Sequence, residues 1–176
     1  MRFFIFLTFV LGLMIFGGCN SAENKKIARV DSLYTVLESI EDSLEVISIT
    51  KVNRLLDENM NLVTKVQNQI SDTLTKEQMF FLSDFKRFRK SLTQLVQNIE
   101  FQVGQVGYSK TQIENFKEDI NNGLIIDEYY NDYFNTEKEA IGRLKESSIN
   151  ISTWYKGTFK RYDELKKGVE QILENK

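Results

Sequence analysis

The chain has 176 residues, a formal net charge of −2 and hydrophobic side chains at 41% of its positions. This composition predicts one folded domain with a core, and the balance of 23 basic and 25 acidic side chains argues against binding to nucleic acid, which needs a basic surface. The chain has no histidine, no proline and a single cysteine, Cys19. This inventory excludes Cys/His and Ser/His nucleophile pairs and ordinary zinc sites. We therefore expect a protein that is not an enzyme and that has no metal or cofactor. An enzyme that uses only carboxylates, lysines or tyrosines is the weaker alternative.

The first 18 residues have the pattern of an export signal. Arg2 supplies a positive charge, and residues 3–16 carry no charged side chain. A helix of these fourteen residues spans only about 21 Å at about 1.5 Å per residue. This is short of the hydrocarbon core of a bilayer, which is about 30 Å thick. The pattern therefore favours a cleaved signal over residues 1–18, with an uncleaved membrane anchor as the weaker alternative.

The signal ends in Phe16-Gly17-Gly18-Cys19, followed by polar residues 20–26. This segment resembles the lipobox of bacterial lipoproteins. The resemblance implies that Cys19 receives a diacylglycerol, that the chain is cut before it, and that two or three acyl chains then anchor the protein firmly. Asn20 replaces the aspartate that retains many such proteins in the inner membrane of some Gram-negative bacteria, which favours the outer membrane. The alternative is an ordinary secretory signal with a chance cysteine.

After a lipidated tether at 19–26, apolar residues follow a helical repeat that slips once. The first stripe consists of Val30, Leu33, Leu37, Ile40, Leu44 and Ile47. The second stripe consists of Val52, Leu56, Met60, Val63, Val66 and Ile70. Spacings of three and four residues place each stripe on one face of a helix. The pattern predicts a helix over residues 27–71, bent at the slip near residues 48–50.

The middle of the chain predicts two helices in line. A turn precedes Thr75, which is a suitable N-cap, and an apolar stripe follows. The stripe is Phe81, Phe85, Phe88, Leu92, Leu95, Ile99 and Val103. Gly104 and Gly107 then weaken the helix, and residues 109–112 (Ser-Lys-Thr-Gln) match a capping box. We therefore expect a break at residues 104–108 and a third helix from Lys110 that ends before Gly123.

A last long helix is expected to begin with Asp127 as its N-cap. Its seam positions are Tyr130, Phe134, Glu137, Ile141, Leu144, Ser148, Ile151, Tyr155, Phe159, Tyr162, Leu165, Val169 and Ile172. Sustained seams in segments of similar length indicate helices packed side by side. The predicted fold is all-α: an elongated, antiparallel, coiled-coil-like three-helix bundle over residues 27–176, with a break in the middle rod.

Two clusters are candidate partner-binding patches. Four aromatic residues fall within six positions, namely Tyr129, Tyr130, Tyr133 and Phe134. They cannot all face one seam, so some form an exposed patch for a partner or membrane, or cover the end of the core. The densest basic run contains Lys86, Arg87, Arg89 and Lys90. It either contacts anionic envelope material or is a solvated face that pairs with acidic residues such as Glu38, Glu41, Asp42 and Glu45.

Two other motifs have weak functional interpretations. Glu137 in the last seam could pair with a lysine or join a carboxylate metal site, but sites of that kind also use histidines, which this chain lacks. Ser48 and Lys51 match the Ser-x-x-Lys pattern of penicillin-binding proteins. The companion motifs of that family are absent, so we interpret the match as coincidence.

Together these observations predict a non-enzymatic lipoprotein of the bacterial cell envelope that acts as a binding or scaffold module. It would contact the membrane through the lipid on Cys19 and would bind an envelope protein. We expect it at the outer membrane, on the periplasmic face or at the surface. The alternative is a surface-exposed adhesin or a lipoprotein that binds a host factor. The sequence leaves the oligomeric state and the identity of the partner open.

Overall fold

A computed structural model describes the backbone of residues 19–70 and 74–174, which form helices and no strand. The helices are α1 (Cys19–Glu45), α2 (Ile49–Ile70), α3 (Lys76–Asn121) and α4 (Asp127–Glu174). The predicted all-α class is confirmed, as are three packed segments with a bend in the first, which comprises α1 and α2. Helix α1 begins at Cys19, so residues 19–26 are helical, although the sequence pattern placed the helix start at residue 27. The predicted signal peptide, residues 1–18, lies outside the described residues.

The bend between α1 and α2 has a local cause. The Ile47 amide donates to the Leu44 carbonyl at 2.9 Å, which closes a tight turn. Ser48 then caps α2, because its hydroxyl accepts from the Lys51 amide at 3.2 Å and its carbonyl accepts from Val52 at 3.3 Å. The Ser48–Lys51 spacing that matched a catalytic motif therefore forms a helix cap.

Helix α3 begins as expected at a capping box. The Thr75 hydroxyl accepts from the Gln78 amide at 3.3 Å, and the Gln78 side chain accepts from the Thr75 amide at 2.8 Å. Glu77 lies in the first turn, where its charge favours the positive end of the helix dipole. The prediction of Thr75 as N-cap is confirmed.

Helix α3 continues through Gly104 and Gly107, so the predicted break in the middle rod and the separate helix from Lys110 are wrong. The buried face passes through the region without interruption. Its buried positions are Ile99, Gln102, Val106, Ser109, Ile113, Phe116 and Ile120. An interior glycine costs about 1 kcal/mol relative to alanine, which is less than the burial of one large apolar side chain contributes. Packing on both sides therefore outweighs the two glycines.

The turn between α3 and α4 is a Schellman motif. Gly123 has a φ of 67°, the Gly123 amide donates to Ile120 at 3.1 Å, and the Leu124 amide donates to Asp119 at 2.9 Å. This confirms the predicted helix stop. The Tyr130 amide donates to the Ile126 carbonyl at 3.3 Å, so the cap position belongs to Ile126. Asp127 is the first helical residue, and its assignment as N-cap was wrong by one position.

The chain forms two compact units. Among the described residues, unit 1 contains 19–39 and 106–143, and unit 2 contains 40–70, 74–105 and 144–174. Helices α1, α3 and α4 each pass from one unit to the other. The boundary in α1 lies between residues 39 and 40.

In unit 1, cross-helix contacts define the helix directions. Lys117 pairs with Asp31 at 2.5 Å, and Tyr34 donates to Glu114 at 3.3 Å, so α3 is antiparallel to α1. Arg29 donates to Asn131 at 3.3 Å, and Lys26 pairs with Asp127, so α4 is parallel to α1. The core contains Val30, Leu33, Leu37, Val106, Ile113, Phe116, Ile120, Tyr130, Phe134 and Ile141.

Unit 2 buries polar side chains among its apolar ones. The buried face of α2 passes through Leu55 and Asn59, whereas the sequence pattern predicted Leu56 and Met60. In α3 the sequence pattern predicted that Val103 would be buried, but Val103 is exposed and its neighbour Gln102 is buried. The apolar core positions of unit 2 are Ile40, Leu44, Ile47, Val52, Leu55, Val66, Phe85, Leu92, Leu95, Ile99, Ile151, Tyr162, Leu165 and Val169. All thirteen predicted seam positions of α4, counted over both units, are buried or half-buried.

The buried amides of unit 2 make hydrogen bonds to neighbouring helices. The Gln102 side-chain nitrogen donates to the Leu144 carbonyl at 2.8 Å and to the Ser148 hydroxyl at 3.0 Å, while its oxygen accepts from Ser147 at 3.0 Å. Asn59 donates to the Phe85 carbonyl at 2.9 Å. Burial of an amide is tolerated when its hydrogen bonds are made, so these residues occupy core positions that a hydrophobicity pattern cannot identify.

Candidate functional site

The predicted lipidation residue, Cys19, is the first residue of α1. Its side chain and the preceding segment are outside the described residues, so lipidation stays a prediction. Within the residues that are described, no helix is long and apolar enough to cross a membrane. Cys19 belongs to unit 1.

The aromatic cluster of α4 divides between core and surface, as predicted. Tyr130 and Phe134 are buried, whereas Tyr129 and Tyr133 are 51% and 53% exposed. The ring of Phe116 from α3 stacks on Tyr130 with a centroid distance of 5.9 Å and contacts Tyr133 at 6.3 Å. Tyr130 also stacks on Phe134 at 6.0 Å. Two rings of the cluster therefore complete the core, and two remain available to a partner or membrane.

Two cations of α1 cover the buried rings of this cluster. The guanidinium of Arg29 lies 4.1 Å from the ring centroid of Phe134 and 5.3 Å from that of Tyr130, and the Lys26 ammonium lies 5.2 Å from Tyr130. The Tyr130 hydroxyl donates to the Lys26 carbonyl at 3.1 Å. Burial raises the pKa of Tyr130, while the charges of Arg29 and Lys26 oppose that rise. These contacts hold the start of α4 against α1.

The turn between α3 and α4 exposes a surface that the sequence analysis did not predict as a site. Leu124 and Ile126 are 68% and 55% exposed, and Tyr129 follows within one turn of helix. We call residues 122–126 the end loop. The sequence signal was available, because three consecutive apolar residues lie between a glycine helix stop and the next helix. Residues in a loop do not follow a regular spacing, so the sequence does not show which of these side chains are exposed.

The basic run lies in unit 2 on an exposed face of α3. Lys86, Arg87, Arg89 and Lys90 are exposed, and Arg87 pairs with Asp84 on the same helix at 3.6 Å. Half-buried Phe88 contacts the ring of Tyr162 at a centroid distance of 6.2 Å. This contact orients the helix so that the four cations face solvent. Pairing of the run with acidic residues of the first segment stays a prediction.

A second group of charges in unit 2 surrounds Lys166. Its ammonium pairs with Glu58 and lies 3.9 Å from Glu170. The hydrogen bond to Glu58 raises the pKa of Lys166. Burial, and then the charge of Glu58, raise the pKa of Tyr162. Among the described residues the Tyr162 hydroxyl has no hydrogen-bond partner of good geometry. The cluster is engaged in holding α2 against α4.

The described residues of unit 2 form concave regions, two of which differ in their lining residues. One, of about 400 Å³, lies between α2 and α3, and its lining residues are Val63, Val66, Gln67, Leu74, Met79, Leu82, Ser83 and Lys86. The other, of about 590 Å³, is lined by Arg54, Asp57, Glu58, Asn61, Leu62 and Lys65. All six residues of the second belong to α2, so it is a helix surface rather than a cleft between elements. The first is mostly apolar, and among the described residues that line it Lys86 is the one with a charge.

Glu137 lies half-buried in the seam of α4 within unit 1. Burial raises the pKa of its carboxyl. Across residues 22–69 and 74–174, whose side chains are described, no group of three or more histidine, cysteine, aspartate or glutamate residues is placed to hold a metal ion. Within the same residues Glu137 has no ion pair or hydrogen bond. It is therefore an isolated carboxylate in a mostly apolar seam.

Comparison with protein family models, with curated proteins and with solved structures finds no match to this chain.

Proposed function

We propose that the chain is the precursor of a bacterial lipoprotein whose mature part is a non-enzymatic, lipid-anchored binding or scaffold module of the cell envelope. The observation that carries the proposal is the segment Phe16-Gly17-Gly18-Cys19 at the end of an uncharged apolar stretch, with the only cysteine of the chain at its last position. Two or three acyl chains on that cysteine bury enough methylene groups for stable anchoring.

The binding role is supported by what the helices expose. Unit 1 offers Tyr129 and Tyr133, and unit 2 offers the four cations of the basic run. Long amphipathic helices bind partners through such side chains on their outer faces. The residue inventory offers no histidine, and lipidation would consume the single thiol. A binding role therefore accounts for these residues better than an enzymatic one.

The anchor is tested by replacing Cys19. In a Gram-negative host, the wild-type chain should incorporate a palmitate analogue, enter the detergent phase and sediment with membranes. The C19A variant should lose all three properties and keep its helical circular dichroism, while N20A, which retains the cysteine, serves as the matched control. Equal labelling of wild type and C19A would overturn the proposal.

The partner surface is tested by photo-crosslinking in cells. A benzoylphenylalanine in place of Tyr133 should give a reproducible protein adduct, and the same probe in place of Tyr108, which is 63% exposed in the same unit, should not. In unit 2, R89E should weaken capture of a partner that binds the basic run, whereas K145E should not. Absence of any reproducible adduct or captured partner at either surface would contradict the scaffold role.

Protease added to whole cells distinguishes a periplasmic scaffold, which survives, from a surface adhesin, which is removed.

A further inference from the structure

The end loop of unit 1 exposes two large apolar side chains, Leu124 and Ile126. In a Schellman motif the residue after the glycine commonly packs on an apolar side chain one turn back in the helix. Here that residue is Leu124, and the position it would cover is Asp119. Leu124 accordingly stays 68% exposed. Ile126 and Tyr129 are also exposed, and the acidic residues Asp127 and Glu128 lie between them in the chain.

The end loop lies at the end of unit 1 where α1 begins. Helix α3 is antiparallel to α1, and the Lys26–Asp127 pair places the start of α4 beside residue 26. From Lys26 the helix continues for seven residues to Cys19, which is about 10 Å at about 1.5 Å per residue. The loop between Asn121 and Asp127 projects in that direction. Less than about 10 Å along the axis therefore separates the loop from the level of Cys19.

We propose that Leu124, Ile126 and Tyr129 insert into the interfacial layer of the phospholipid bilayer and form a second membrane contact beside the lipid anchor. This inference rests on the proposed lipidation of Cys19, which would place the first residue of α1 at the bilayer surface. The interfacial layer is about 5 to 8 Å thick on each side of a bilayer. Side-chain length or a modest tilt of unit 1 closes the remaining distance. Apolar side chains and a tyrosine suit this layer, because a tyrosine ring is apolar with a polar end.

The charges around the loop identify the kind of lipid surface. Asp127 has a side chain that is 92% exposed, and Glu128 and Asp132 are also exposed. Lys26 is already paired with Asp127. An acidic surround repels anionic head groups, so the expected surface is a zwitterionic phospholipid. Two attachments close together would also orient unit 1 on the membrane, whereas a single lipid leaves it free to rotate about residue 19.

The test uses the mature lipidated protein in phosphatidylcholine vesicles. With Cys19 capped by lipid, a cysteine at position 124 is the only free thiol and can carry an environment-sensitive fluorophore. Lipids with a quencher near the head group should quench this label about twofold or more relative to a label at position 108. Tyr108 is a matched control, because it is exposed in the same unit and lies thirteen residues before the end of α3, about 20 Å along the helix.

A second pair of proteins shows whether the loop itself causes the contact. A label at position 129 should be quenched in the wild-type loop, and quenching should fall to the level of position 108 when L124D and I126D are introduced. Both aspartates lie at exposed positions, so the helical circular dichroism should not change. Both lipidated proteins should float with the vesicles equally.

The outcomes separate this inference from the proposed anchor. Vesicle flotation with equal quenching at positions 124 and 108 would overturn the membrane contact and leave the lipoprotein intact. If the thiol at position 124 is protected from labelling in cells but not in vesicles, the membrane contact is overturned in favour of a protein partner on the loop. An unmodified Cys19 by mass spectrometry would overturn the lipoprotein proposal and this inference together.

Discussion

The two units hold their helices in register by different chemistry. In unit 1 the contacts between helices are charged or cationic and lie near the surface: Arg29 over two rings, Lys26 with Asp127, and Lys117 with Asp31. Unit 2 also has a charged pair between helices, Lys166 with Glu58, but in addition it has polar contacts inside the core, at Asn59 and Gln102. Surface charge contacts are weak and screened by salt, whereas a buried amide must make its hydrogen bonds or destabilise the fold. Unit 1 should therefore respond to salt and pH, and unit 2 to the loss of a single amide.

The largest expected effect is the loss of the buried amide of Gln102. In Q102A the hydroxyl groups of Ser147 and Ser148 lose their partner inside unit 2, which should lower the free energy of unfolding by about 2 to 3 kcal/mol. The single tryptophan, Trp154, lies in unit 2, so its fluorescence during urea denaturation reports this change. Q105A, at a half-buried neighbour, should change the same quantity by less than about 0.5 kcal/mol. Equal effects of the two variants would show that the network does not determine the register.

Two buried tyrosines provide a test in which the expected signs differ. Y130F removes a hydroxyl that donates to the Lys26 carbonyl, so the free energy of unfolding of unit 1 should fall by about 1 kcal/mol. Y162F removes a hydroxyl without a partner of good geometry, so unit 2 should be unchanged or stabilised by up to about 1 kcal/mol. Amide hydrogen exchange measured by mass spectrometry assigns each change to its unit. A destabilised Y162F would indicate that the hydroxyl is bonded to Glu58 in solution.

The charge of Arg29 over the aromatic rings should contribute less to the free energy of unfolding than these buried polar groups do. In R29Q the charge above Phe134 and Tyr130 is lost, which should destabilise unit 1 by about 0.5 to 1 kcal/mol. R143Q is the control, since Arg143 is exposed in the same unit and its one ion pair among the described residues is with Glu139, at 3.9 Å. Both variants are compared by hydrogen exchange at low and high salt. If R143Q destabilises unit 1 as much as R29Q does, the loss of stability comes from the change in net charge and not from the contact with the rings.

The smallest expected effect concerns Glu137. Because burial raises the pKa of this carboxyl in the folded state, its charged form opposes folding at neutral pH. The free energy of unfolding should therefore rise as the pH falls through the folded pKa, where the folded state binds the proton more tightly than the unfolded state does. E137Q should be more stable than wild type at pH 7, and the difference should shrink towards pH 4. E139Q, at an exposed position, should show no such convergence.

Structural features that depend only on nearby residues in the chain were predicted well. The stripe of α1, the Thr75 cap and the Gly123 stop follow from local hydrogen bonds and helical spacing, and the structure contains all three. The same local reasoning was wrong at Ser109, although residues 109–112 and 75–78 share the spacing of a capping box. At residue 75 the chain enters a helix from a turn, whereas Ser109 lies between buried turns of α3.

The candidate surfaces were predicted in part. That four aromatic residues in six positions must divide between core and surface follows from helix geometry, and Tyr129 and Tyr133 are the exposed pair. The cations that cover Tyr130 come from α1, about a hundred positions earlier in the chain, and no local pattern relates them. The exposure of Leu124 depends on the identity of the residue beneath it, Asp119, which a hydrophobicity pattern does not consider.

The sequence alone therefore determined the helical class, the three segments and the residues that begin or end most of them, because helix periodicity and capping are local properties. It also supplied the whole argument for the lipid on Cys19. Only tertiary structure decided that α3 continues through two glycines, that Asn59 and Gln102 enter the core, and that the end loop stays uncovered. In each of those outcomes a small local preference competes with contacts from distant parts of the chain, and those contacts exist only once the helices are packed.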